Sequence, residues 1–142
     1  MSWQSVRHLW LAALCLSFCA GCSEELGSAP MPTTRVTGFI HEGQRPIRSG
    51  WVEFLPIDGT VGLTRSAPIR PDGTFSAEGV PVGEVVVGIN GADIRVRDGR
   101  RIFDSLGSPI RRRVAAKSSA LLDIDVFQEY AEYQAILQKK DP

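Results

Sequence analysis

The chain has 142 residues, 43% hydrophobic and 23% charged, a composition that suits a folded domain and excludes wholesale disorder. Lysine plus arginine and aspartate plus glutamate balance at 16 each, so no overall positive field draws in nucleic acid, and no nucleic-acid partner is expected. The 14 glycines and 9 prolines point to short strands joined by many turns.

Met1–His8 is short and polar, with Arg7 and His8 as its basic residues; Leu9–Ala20 is apolar throughout, and Gly21-Cys22 follows. This order of segments reads as a signal peptide over residues 1–21. The apolar run is shorter than the roughly 20 residues that a membrane-spanning helix needs. All three cysteines, Cys15, Cys19 and Cys22, lie in this stretch. Inside an apolar run Cys15 and Cys19 read as small hydrophobes rather than metal ligands, and no metal or other cofactor is expected. Cleavage before Cys22 would leave one cysteine, no disulfide, and a formal charge of −1 from 15 basic and 16 acidic residues.

The ending Cys19-Ala20-Gly21-Cys22 resembles the bacterial lipobox, with Cys19 where leucine is usual. The resemblance implies cleavage between Gly21 and Cys22, a diacylglycerol on the Cys22 sulfur and acylation (palmitate, for example) of the new amine. Two or three chains hold a protein at a membrane where a single chain is marginal. The alternative is an ordinary secretory signal followed by a coincidental cysteine. Ser23 stands where some bacteria place an aspartate that retains lipoproteins at the inner membrane, so by analogy the expected location is the outer membrane, facing the periplasm. Residues 22–34 lack periodicity, contain Pro30 and Pro32, and read as a flexible tether.

From Arg35 the pattern becomes short β-type runs. Arg35–His41 alternates, with Val36 and Ile40 on one face and Phe39 on the other. Gly50–Leu55 puts Val52 and Phe54 on one side and Trp51, Glu53 and Leu55 on the other. Ala67–Arg70 and Thr74–Ala77 flank the turn Pro71-Asp72-Gly73, and Pro81-Val82-Gly83 precedes the apolar run Glu84–Asn90. Ala92–Phe103 reads as a hairpin around Asp98-Gly99, and Ser105–Ser119 as a loop. Leu121–Phe127 alternates, with Leu122, Ile124 and Val126 inward and Asp123 and Asp125 outward; Gln128–Lys140 reads as a helix with Tyr130, Tyr133 and Leu137 along one side. The expected fold is all-β: an antiparallel sandwich of about seven strands over 35–127, then a helix and tail over 128–142.

Val36-Thr37-Gly38, Pro46, Gly50–Phe54, Pro71–Phe75 and Val80–Val87 are together similar to carboxypeptidase regulatory-like domains. The resemblance implies a transthyretin-like (prealbumin-like) sandwich, with an x-D-G-x-F hairpin at Asp72-Gly73. Its matching positions specify a fold, so it carries over no catalytic residue.

His41 is the single histidine after Cys22, and no nucleophile elbow or other catalytic frame surrounds Ser49, Asp58 or Asp72 as its partners. Asp123 and Asp125 share a face, yet two carboxylates fall short of the 6–8 oxygens of a calcium site. The candidate anion-binding residues are Arg95, Arg97, Arg100, Arg101, Arg111, Arg112 and Arg113, in a stretch (92–117) with eight basic residues against three acids. Such a cluster suits anionic headgroups, an acidic polysaccharide or an acidic envelope protein; the plainer alternative is a solvated loop. The expected function is that of a non-catalytic, lipid-anchored envelope protein whose sandwich is a binding or spacer module. The alternatives are a carbohydrate- or anion-binding module using Trp51 or the arginines, and a hydrolase or hydrolase accessory.

Overall fold

A computed structural model describes residues 31–117 and 121–140; Cys22 and the expected signal peptide lie outside them. Eight strands form two four-stranded sheets. The strands are β1 (Thr33–Glu42), β2 (Arg45–Pro46), β3 (Trp51–Pro56), β4 (Arg65–Pro68), β5 (Thr74–Pro81), β6 (Gly83–Asn90), β7 (Arg111–Val114) and β8 (Leu122–Asp125). A single-turn helix, α1 (Gly99–Ile102), precedes β7, and α2 (Val126–Lys140) follows β8.

The first sheet has the order β2-β1-β5, with β8 on the other side of β1; the second has the order β4-β3-β6-β7. All pairings are antiparallel except β1–β8, which is parallel, with Gly38 opposite Leu122 and His41 opposite Asp125. A parallel neighbour requires a crossover, and here the chain leaves β7 in one sheet to reach β8 in the other. The two sheets bury Ile40, Val52, Phe54, Phe75, Val85 and Val87 between them. Alternation put Ile40, Val52 and Phe54 on single faces of their strands, and Trp51, on the opposite parity to Val52 and Phe54, is exposed. Gly38 is needed for space: a Cβ there would lie 2.3 Å from the Leu122 carbonyl and 2.5 Å from the Phe75 ring.

Several expectations are corrected. Strand β1 begins at Thr33, because Thr33 and Thr34 pair with Pro81 and Val80, so the linker ends two residues earlier than the polar composition suggested. The Pro71-Asp72-Gly73 turn does not close a hairpin: β4 belongs to the second sheet and β5 to the first, so the turn carries the chain between layers. Nor is Ala92–Phe103 a hairpin. Asp98 adopts a left-handed conformation (φ 57°) and leads into α1, while the backbone N–H groups of Arg95 and Val96 donate to the Glu42 carboxylate instead of to a partner strand. The expected loop 105–119 contains β7, which pairs with β6 from Gly83–Val114 to Val86–Arg111. Helix α2 starts at Val126, two residues early, because Asp125 caps it by accepting the Phe127 N–H at 3.0 Å.

The register gives the sandwich two distinct ends. Thr33 sits opposite Pro81, and Gly83 opposite Val114, so the chain enters where β5 passes into β6. At the far end lie the β1–β2 turn, Trp51 opposite Asn90, and the connection from Gly91 to α1.

Candidate functional site

The seven arginines separate into two groups. Arg111, Arg112 and Arg113 lie on β7, each beside a carboxylate from a different element: Asp58 at 3.1 Å, Glu129 of α2, and Glu84 of β6 at 3.6 Å. Arg112 shares the inward parity of Val85 at the sheet edge, and its half-buried contact with Glu129 ties the second sheet to α2. This trio is therefore locally compensated, and such pairs contribute only about 0–1 kcal/mol each when exposed.

Arg95, Arg97, Arg100 and Arg101 are exposed on the far-end connection. Arg97 is 3.9 Å from Asp98; among the described residues no carboxylate lies within 4.0 Å of Arg95, Arg100 or Arg101. Their backbone is held firmly. Ile94 is buried, Val96 packs on the core, and a Cβ on Gly99 would meet their methyls at 2.4 and 2.6 Å. Glu42 completes the scaffold by accepting the N–H groups of Arg95 and Val96 (each 2.8 Å) and pairing with Arg45. Burial pushes the Glu42 carboxyl up, but Arg45 and the two backbone N–H groups outweigh it and hold the carboxyl below its usual value.

Trp51 is 52% exposed on the outer face of the second sheet, between Pro68 and Asn90 in register. Beside it Ser105 folds over Gly88, where a Cβ would lie 2.5 Å from the Ser105 Cα. Asn90 Nδ2 donates to Ser105 Oγ at 2.6 Å, Ser105 Oγ donates to the Glu53 carboxylate, and the Ser105 N–H returns to Asn90 Oδ1 at 3.3 Å. This network escaped the sequence reading; the available signal was a glycine inside an apolar strand, which marks close backbone approach. Its hydroxyl is engaged by an amide and a carboxylate, and it fastens the 103–110 segment beside β6, where Val87 and Ile89 donate to Ile110 O and Phe103 O.

His41 meets neither Ser49, Asp58 nor Asp72. Asp58 pairs with Arg111, and Asp72 accepts from the Thr74 N–H and hydroxyl within its own turn. His41 instead meets one residue of β8 and one of the β1–β2 turn: Nε2 lies 2.9 Å from Asp123 Oδ1, and Nδ1 lies 2.7 Å from Gly43 O. Asp125 accepts from the N–H groups of Gly43 and Phe127 (each 3.0 Å). Burial raises its pKa, but these two donors and His41 outweigh that and leave it lowered. The cluster clasps β8 and the start of α2 to the end of β1. Among the described residues no group of three histidine, cysteine or acidic side chains is arranged to hold a metal, and no helix is long and apolar enough to cross a membrane.

Comparison with protein-family models, with curated proteins and with solved structures finds no match.

Proposed function

We propose that the chain is a non-catalytic, lipid-anchored envelope lipoprotein, outer-membrane bound and facing the periplasm, whose sandwich (of the transthyretin-like, carboxypeptidase regulatory-like kind) displays a binding surface away from the bilayer. The observation that supports this most is the polarity of the fold. The chain from Cys22 enters at Thr33, whereas Arg95, Arg97, Arg100 and Arg101 project from the opposite end. The module thus acts as a spacer as well as a presenter. Membrane fractionation tests the anchor: the wild-type protein stays with the membrane pellet through a high-salt wash, and Cys22→Ser moves it to the soluble fraction. Equal partition of both forms would overturn the reading.

A second reading, a carbohydrate- or anion-binding module, is favoured by Trp51 and the arginine connection sharing that far end. An exposed indole stacks on a sugar ring, and guanidinium groups pair with carboxylates or phosphates. The chemistry they share is that of an acidic polysaccharide. Trp3 and Trp10 precede Cys22, so Trp51 is the single tryptophan of the chain from Cys22 onward. Its fluorescence reports such binding directly: a saturable change with an acidic polysaccharide, lost in Arg95/Arg100/Arg101→Ala, is expected, and an unchanged signal contradicts it.

A further inference from the structure

The loop between β3 and β4 is built the wrong way round for a soluble surface. Its small and polar residues are fastened inward: the Thr60 hydroxyl accepts the Glu84 N–H at 2.8 Å, the Thr60 N–H donates to Ile57 O at 2.9 Å, and Gly62 lies against Pro81, where a Cβ would come within 2.4 Å of the ring. Its large apolar residues point out: Val61 is 68% and Leu63 62% exposed. Single exposed apolar residues are ordinary, but these two lie at the end where the chain enters. Val61 and Pro32 line one open cleft of about 470 Å³, and Met31, next in the chain, is itself exposed. Arg65 and Lys117 are exposed on the neighbouring elements, while Arg111 and Arg113, also exposed, pair with Asp58 and Glu84 of the cleft itself.

We propose that this end of the sandwich rests on the phospholipid bilayer, with Val61, Leu63 and Met31 dipping into the headgroup layer and Arg65 and Lys117 meeting lipid phosphates. The proposal rests on the reading that Cys22 is acylated. Eight residues, 23–30, separate Cys22 from Met31, and even fully extended they span only about 30 Å. The ten residues of β1 extend about 33 Å. An anchor at Cys22 therefore keeps the Thr33 end within about 30 Å of the bilayer, and the far end reaches lipid only if the linker stretches along the whole domain. Apolar points backed by basic residues match a surface of apolar chains beneath anionic headgroups.

The test uses the full chain, purified from membranes, checked by intact mass and reconstituted into phosphatidylethanolamine–phosphatidylglycerol vesicles with brominated acyl chains. The wild type reports from Trp51; Val61→Trp and Leu63→Trp, each in a Trp51→Phe background, report from the loop, where exposure makes both substitutions compatible with the fold. Quenching of the loop tryptophans by half or more, with Trp51 quenched by less than one-tenth, is the expected result. Acylated protein in which the loop tryptophans escape quenching, or in which Trp51 is quenched as strongly, overturns the proposal and leaves the anchor standing. A blue shift without quenching that grows with protein concentration means that a second copy covers the loop, and also overturns it. A mass without acyl chains removes the anchor reading and this one together.

Discussion

The carboxylate of Glu42, at the end of β1, accepts the backbone N–H of Arg95 at 2.8 Å across 53 residues of sequence. With the second bond to Val96, this side chain takes the place of the partner strand that the 92–103 segment lacks, and it holds four arginines on a fixed backbone.

Removing that carboxylate leaves two N–H groups without their acceptor. Glu42→Ala is expected to destabilise the domain by about 1–3 kcal/mol. Hydrogen exchange should localise the loss, with the Arg95 and Val96 amides exchanging faster while the β3–β6 ladder stays protected.

Acid should loosen the same contacts. Glu42 and Asp125 have folded-state pKa values below their ordinary 4.5 and 3.8, so each contributes stability that is fully present above those ordinary values and is lost as pH falls through the lowered ones. The urea midpoint should therefore hold from neutrality to about the ordinary carboxylate range and fall below it. Glu42→Gln should flatten that decline.

At Gly38, β8 and Phe75 crowd closely against β1. Gly38→Ala is expected to cost about 1–3 kcal/mol, because the nearest atom is a backbone carbonyl that moves only if the strand moves. Thermal denaturation measures the cost, and exchange should show β8 and α2 opening first.

Asp125 caps α2 and also binds the Gly43 N–H. Asp125→Ala should lower stability by about 1 kcal/mol for the lost cap and reduce helical circular dichroism at 222 nm. Asp123→Ala, whose side chain is largely exposed and touches only the His41 ring, should do much less.

Strands were legible where side chains alternate plainly, as in Trp51–Leu55, where Val52 and Phe54 are fully buried and Trp51 faces out. Strand β7 was hidden because three consecutive arginines carry no apolar alternation; the alternation is instead one of partners, with Arg112 turned toward Glu129 and its two neighbours outward. The 92–103 segment misled because Asp98-Gly99 suits a hairpin turn locally, while the acceptor that decides its course sits on β1. The parallel course of β8 was equally out of reach, since Leu121–Phe127 alternates the same way whichever direction its neighbour runs. Of the candidate site, the face of Trp51 opposite Val52 and Phe54 and the charge of the arginines could be read from the chain, but the division of the arginines between two regions of the sandwich depends on β7 being a strand.

The anchor at Cys22 underlies the whole account, and intact mass of the protein isolated from membranes tests it most directly. A mature chain beginning at Cys22 with added acyl mass, absent in Cys22→Ser, is the expected result. An unmodified chain that retains Met1, or one cut at another bond, would contradict it.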